Sequence, residues 1–156
     1  MFEEKDVKAG VTFPRGFVAA GVKAGIKKSG NLDVAVIYTD KEAAVAGTFT
    51  QYVVAAAPVY VSKDVVKTGT AHAIVANAGC ANACTGEMGM MNSKKEQEIA
   101  AAALGGSADD VSIGSTGVIG VQLPMDKVES GIKDAVSKLS PNGSEDAGNA
   151  IITTDT

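Results

Sequence analysis

Val111-Ser112-Ile113-Gly114-Ser115-Thr116-Gly117-Val118-Ile119-Gly120 decides how this chain is read. A short apolar run ends at Ile113, a glycine-spaced turn with two adjacent hydroxyls follows, and Pro124 with Asp126 opens a helix. Glycine lets main-chain N–H groups converge without a Cβ in the way, so the turn is suited to hold something negative, a phosphate or an oxyanion. Two phosphate-binding folds are excluded by the same residues. The third glycine of a dinucleotide fingerprint falls on Leu123, and too little sequence follows Gly120 for the remaining strands and ribose-binding acid. No Lys-Ser or Lys-Thr follows the glycines, which rules out a P-loop. A plain tight turn between strand and helix is the competing reading from spacing alone.

Working outward, Leu32 to Thr39 is apolar at consecutive positions, the pattern of a strand covered on both faces. Ala43 to Thr50 reads as a second strand, joined to the first by a hairpin turn at Asp40-Lys41-Glu42. Pro58 to Val61 reads as extended, Ser62 as the cap of a short helix over Lys63 to Lys67, and His72 to Ala76 as a buried strand. Met91, Ile99, Ala102 and Ala103, among Lys94, Lys95, Glu96 and Glu98, give an alanine-rich helix that Gly105-Gly106 stops near Leu104. After Pro124, the residues Val128, Ile132, Ala135, Val136 and Leu139 form one helical stripe. Ser144, followed by Glu145 and Asp146, reads as the N-cap of a last helix reaching about Ile152. No internal repeat or low-complexity linker interrupts residues 1–156, so the chain is expected to form one layered α/β domain.

Composition limits the partners. The 156 residues are 46% hydrophobic and 21% charged, enough for a real core. A net charge of −4 with no clustered basic face excludes a nucleic-acid groove, and the pairs Lys27-Lys28 and Lys94-Lys95 read as solvated surface. No apolar run reaches the length of a membrane span. The start, Met1 to Asp6, is acidic and lacks the apolar segment of a secretory signal, while Cys80 and Cys84 lie too close in sequence for a disulfide framework. Together these predict a cytoplasmic protein. With 18 glycines, no Trp and 4% aromatic residues, the interior must be built of Ala, Val, Ile and Leu.

The chemistry-bearing residues do not complete a catalytic set. Asn77-Ala78-Gly79-Cys80-Ala81-Asn82-Ala83-Cys84-Thr85-Gly86-Glu87 is suited to hold an amide or carboxylate, or to hold its own backbone in left-handed turns, and spacing favours the latter. A structural zinc needs four ligands, and Cys80, Cys84 and His72 are the soft donors present, so no metal is expected. Both cysteines read as small buried residues and His72 as surface or strand edge. A donor pocket without a nucleophile and base means either binding without chemistry or a nucleophile supplied by another chain. Ile151 to Thr156 reads as the interior of a longer sequence rather than a polar tail.

Several segments, in order, resemble one family. They are Val11-Thr12-Phe13-Pro14-Arg15-Gly16-Phe17, Ala20-Gly21-Val22-Lys23-Ala24-Gly25-Ile26-Lys27, Ala46-Gly47-Thr48-Phe49-Thr50 and Ala56-Ala57-Pro58-Val59. Asn82-Ala83-Cys84-Thr85-Gly86, Ser115 to Gly120, Leu123-Pro124-Met125 and Thr153-Thr154-Asp155-Thr156 follow. The set resembles the α chain of glutamate N-acetyltransferase, or ornithine acetyltransferase, of arginine biosynthesis. The resemblance implies an α/β layered sandwich, αββα-like, completed by a separate β chain that the same precursor releases by cleaving itself before a threonine. That threonine is the nucleophile, its own α-amine serves as base, and acetyl passes from N2-acetyl-L-ornithine to L-glutamate. Carried onto this sequence, the Thr116 side chain and Gly117 N–H form the oxyanion hole, and Thr153 of the Thr153-Thr154 pair contacts substrate. The resemblance also implies a dimer of αβ pairs and no cofactor, with acetyl-CoA open as a second acetyl donor. Two departures stand out: the family's usual Asn-Ser-Gly-Asn-Ala-Asn is here Asn77-Ala78-Gly79-Cys80-Ala81-Asn82, and the sequence stops before the lysine- and glycine-bearing segment that precedes the scissile bond. The rival readings are a related N-terminal-nucleophile amidase or aminopeptidase, and a non-catalytic module binding small anions.

Overall fold

Runs of Val, Ile and Ala with few polar interruptions form a single mixed sheet in the computed structural model, which describes residues 10–154. The acidic start at Met1 to Asp6 and the final Asp155-Thr156 of the last motif lie outside the described residues. Strands β1 (Phe17–Val22), β2 (Val34–Ala44) and β3 (Thr70–Cys80) pair antiparallel in sequence order, and β4 (Val111–Val118) joins β3 in parallel. A parallel neighbour needs a crossover, and helix α2 (Gly86–Leu104) supplies it. Helices α1 (Ala57–Thr68), α3 (Met125–Ser137) and α4 (Ser144–Ile151) complete the layers.

Strand alternation sorts the side chains onto two faces. Ala20, Val22, Val34, Val36, Val75, Val111 and Ile113 pack against Val61 of α1, Ile99 and Ala100 of α2, and Val128, Ile132 and Ala135 of α3. Ala19 and Ala35, on the other face, meet Ala147 and Ala150 of α4. Both faces of β2 are therefore covered, as its unbroken apolar run requires, and the layered α/β architecture expected from the sequence is what forms. The stripe expected on α3 is also found, with Val128, Ile132 and Ala135 fully buried. Gly105 ends α2 in the left-handed conformation at φ 75°, as the glycine pair suggested.

Several local expectations are corrected. The hairpin at Asp40-Lys41-Glu42 does not exist: β2 runs through these exposed residues, and its pairing with β3 slips between Tyr38 and Ala43. A bulge lets polar residues stay in the strand while leaving the ladder, which a turn reading cannot distinguish. Residues 45–50, expected as a strand, carry no regular structure. Pro58 is helical, at the start of α1, where its missing N–H costs nothing. Ser144 does not cap α4: Gly143 precedes the helix without a side-chain cap, and the Ser144 hydroxyl accepts the Val11 N–H at 2.9 Å. Met91, Ala102 and Ala103 face outward on α2, whose buried face is Gly89, Ser93, Glu96, Gln97, Ile99, Ala100 and Ala101. Cys80 is buried but Cys84 is exposed, and His72 lies half-buried on the inner strand β3, its Nδ1 3.1 Å from the Thr39 carbonyl.

Glu96 is the anomaly of α2. Its side chain is fully buried and neither carboxyl oxygen has a hydrogen-bond partner. Burial pushes its pKa up to about 8, because water no longer stabilises the charged form. The unfolded chain ionises this group near the ordinary value, so the folded state binds the extra proton between those limits. Its neutral form is tolerated at low pH, and stability falls as pH rises toward and through the folded-state pKa. Glu96→Gln should flatten the pH dependence of the denaturation midpoint between pH 5 and 8. At pH 8 it should raise Tm by at least about 2–4 °C, the shift expected per kcal/mol in a domain of this size. A variant with the parental pH profile would show that this carboxyl does not titrate on unfolding.

Candidate active site

The Ser115-Thr116-Gly117-Val118 segment is not a turn. It is the second half of β4, and the chain turns only beyond Val118. A strand is possible there because small residues let three main-chain layers approach. Gly117 lies opposite Gly79 in the β3–β4 register at φ 127°, and a Cβ on it would fall 2.5 Å from the Gly79 carbonyl carbon and 2.7 Å from the Cys80 nitrogen. Gly79, at φ 106°, in turn faces the backbone of Ile26 and Lys27, 3.1–3.2 Å from where its own Cβ would stand.

The 24–28 loop is held by one buried carboxylate. Asp33 Oδ1 accepts the Ala24 N–H at 2.6 Å, and Oδ2 accepts those of Ile26 and Lys27 at 2.5 and 2.9 Å. Asp33 is fully buried, so these bonds replace the water it has lost. The Asp33 carbonyl also accepts the Ala78 N–H at 2.9 Å, which joins the loop to the end of β3.

Beyond β3, the Asn77–Glu87 patch holds its own backbone. Asn82 is fully buried at φ 46°; its amide donates to the Gly89 carbonyl and the Ser93 hydroxyl, and its Oδ1 accepts from the Thr85 hydroxyl at 2.8 Å. Asn77 Nδ2 donates to the Cys80 carbonyl at 2.8 Å. Cys80, where the resembled family usually has asparagine, directs its thiol to the Val121 carbonyl at 3.3 Å. Ala81 N–H to Val118 O and Gly120 N–H to Ala83 O, at 2.9 and 2.8 Å, complete the anchoring of the turn after β4.

These elements leave a groove of about 550 Å³ lined by Gly79, Thr116, Gly117 and Val118 from the two strands, by Ile26, Lys27, Lys28 and Ser29 from the loop, and by Thr153 and Thr154. All four residues singled out from the sequence, Thr116, Gly117, Thr153 and Thr154, therefore line one space of a size suited to a small molecule. Thr153 and Thr154 arrive there because α4 ends at Ile151, and both are exposed. The contribution of the 26–29 loop was not foreseen. Its signal was the single acid Asp33 following a glycine- and lysine-rich run. A smaller cleft of about 200 Å³, lined by Tyr38, Asp40, His72 and Asp110 among others, lies at the opposite end of β3 and holds none of these residues. Among the described residues no cluster of three or more His, Cys, Asp or Glu side chains is placed to hold a metal.

The edge of β4 explains which backbone groups are available. Ile113 turns its main chain away from β3, where the Ser62 hydroxyl of α1 accepts its N–H at 2.9 Å and donates to its carbonyl at 2.8 Å. Gln97 does the same for the Val111 carbonyl at 2.7 Å. Ser115, Thr116 and Gly117 continue the strand beyond these contacts. Gly117, Val118 and Ile119 are exposed there. Thr116 points its side chain to the opposite face from Ile113 and is half-buried. A hydroxyl and an N–H from successive residues thus border one groove, an arrangement that can receive a carbonyl oxygen as it gains charge.

Comparison with known proteins shows the family of this chain. The ArgJ family matches residues 18–156. The arginine biosynthesis bifunctional protein ArgJ of Symbiobacterium thermophilum is 50% identical over 149 residues, which are 94% of this chain and 37% of that protein. The ArgJ of Lactococcus lactis is 46% identical over 154 residues, 97% of this chain and 38% of the relative. The chain thus spans a little over a third of the length of these curated relatives. Among solved structures, ornithine acetyltransferase from Mycobacterium tuberculosis complexed with ornithine superposes with a TM-score of 0.91 at 44% identity, over 94% of this chain and 80% of that one. ArgJ from Bacillus halodurans gives 0.88 at 33% identity, over 96% and 78%. With its glycine-bearing strand, its layered fold and these matches in agreement, the chain belongs to the ArgJ family.

Proposed function

We propose that this chain forms one wall of the active site of an acetyltransferase that moves an acetyl group from N2-acetyl-L-ornithine to L-glutamate. The observation that carries the reading is the convergence of Thr116 and Gly117 with Thr153 and Thr154 on one groove. The acid–base and nucleophilic work falls to a threonine at the start of a β chain released from the same precursor. One feature supports a partner: β4 ends at exposed Val118, followed by exposed Ile119. Paired αβ units assembling as a dimer complete the proposed enzyme.

The chemistry follows from charge. The threonine oxygen attacks the acetyl carbonyl, whose oxygen becomes an anion in the tetrahedral intermediate. The Thr116 hydroxyl and Gly117 N–H donate to that anion and lower its energy more than that of the neutral carbonyl. Collapse breaks the bond to nitrogen, ornithine leaves as an amine after taking a proton, and an acetyl-threonine ester remains. The glutamate amine then attacks the ester through the same oxyanion. No resident cofactor is required by this sequence of steps. A thioester such as acetyl-CoA could load the same threonine, and the relatives' name, bifunctional protein, agrees with a second donor.

In the assembled enzyme, Thr116→Ala should lower kcat by about 10²–10³, the loss typical of one oxyanion donor, with an unchanged thermal midpoint. Unchanged turnover would remove Thr116 from the oxyanion hole. Gly117→Ala should instead destabilise the fold by at least about 2 kcal/mol, because both its φ and the Gly79 backbone forbid a side chain. Intact-mass measurement of wild type mixed with N2-acetylornithine should find a second, threonine-starting chain heavier by one acetyl group. Acetate released at the same rate with and without glutamate would favour hydrolysis over transfer.

A further inference from the structure

Lys27 lines the groove and ties its 26–29 loop to the end of α4, which leads into Thr153 and Thr154. Its main-chain N–H is held by Asp33, while its ammonium donates to the carbonyls of Leu32, Ala150 and Asn149 at 2.6, 3.1 and 3.4 Å. Residues 149 and 150 lie in the last turn of α4, whose carbonyls have no partner within the helix. A cation at that end also meets the negative pole of the helix. The helix has eight residues and packs on the sheet through the small side chains of Ala147 and Ala150, and Lys27 holds the carbonyls at its end. Thr153 and Thr154 follow directly. The neighbouring Lys28 lines the groove too but is exposed, and it makes none of these carbonyl contacts. The adjacent lysines therefore differ in kind, although a sequence reading treats them as one surface pair.

We propose that Lys27 is a positioning residue that sets the width of the groove, acting on substrate through Thr153 and Thr154. The inference rests on the acetyl-transfer reading. Its main-chain half is separable from its side-chain half: Asp33 keeps the 24–27 backbone against Gly79, and with it the Thr116–Gly117 wall, whether or not the ammonium is present. Loss of the ammonium frees only the wall that carries Thr153 and Thr154. The expected signature is weakened substrate binding with the chemical step preserved.

The test uses Lys27→Met and Lys27→Arg in the assembled full-length enzyme, with N2-acetylornithine and glutamate as substrates. Lys27→Met should raise KM for N2-acetylornithine by about tenfold while kcat stays within about threefold, since small displacements of positioning groups are felt strongly. Lys27→Arg, which can still donate to several carbonyls, should recover most of the affinity. In a background carrying Thr153→Ala and Thr154→Ala, Lys27→Met should have little further effect on KM, because the lysine acts through those residues. Amide hydrogen exchange over residues 149–154 should quicken in Lys27→Met and not over β3. An unchanged KM, or an equal effect in the threonine-free background, overturns the proposal. If the wild-type enzyme transfers no acetyl group, the functional reading fails on its own. In that case unaltered exchange at 149–154 would separately overturn the strut, and faster exchange would uphold it.

Discussion

The site depends on a carboxylate that no solvent reaches. Asp33 sits just before β2 with its side chain turned to the preceding loop, and three N–H groups from residues 24, 26 and 27 converge on it. Burying a carboxylate is expensive unless hydrogen bonds replace its hydration, and main-chain donors do so without adding mobile side chains. The consequence is a loop fixed by its backbone. Against that loop rests Gly79, against Gly79 rests Gly117, and the order of these layers places a hydroxyl and an N–H at the rim of a groove. Remove the carboxylate and each layer loses the surface it is stacked on.

Much of the fold was legible because it follows from patterning. The unbroken apolar run from Leu32 reports a strand covered on both faces, and the stripe from Val128 to Ala135 reports a helix on a sheet. The misreadings have specific causes. An alanine-rich helix has little amphipathic contrast, so the inward face of α2 had to be found from Ser93, Glu96 and Gln97, residues that ordinarily point outward. At Asp40-Lys41-Glu42 three charges imitate a turn, whereas the strand absorbs them as a bulge because this stretch of β2 is open to water. Pro58 was read as the start of an extended segment, whereas it lies in the first turn of α1.

The candidate site was legible in its residues and not in its construction. Thr116, Gly117, Thr153 and Thr154 were singled out by resemblance, and they line one groove. Spacing alone made Gly114 to Gly120 a turn between strand and helix, because glycine in a strand looks the same as glycine in a turn until the neighbouring strand is known. Here the partner of Gly117 is another glycine, Gly79, thirty-eight positions earlier, and only the parallel register connects them. Lys27 and Lys28 make the same point for charge: identical side chains at adjacent positions, one spent on helix carbonyls and the other facing solvent.

The outer edge of β4 carries a further consequence. Ser62 and Gln97 bond its first half from the helix side, and beyond them the strand ends at exposed Gly117 and Val118, followed by exposed Ile119. Such an edge recruits any extended segment it meets, including another copy of itself. Synthesis of both chains as one precursor, as proposed above, would keep the rightful neighbour tethered, at an effective concentration no free chain reaches in a cell. On this view cleavage would be safe only after the edge has been covered, and the covalent connection would act as a built-in chaperone for the strand that bears the proposed oxyanion donors.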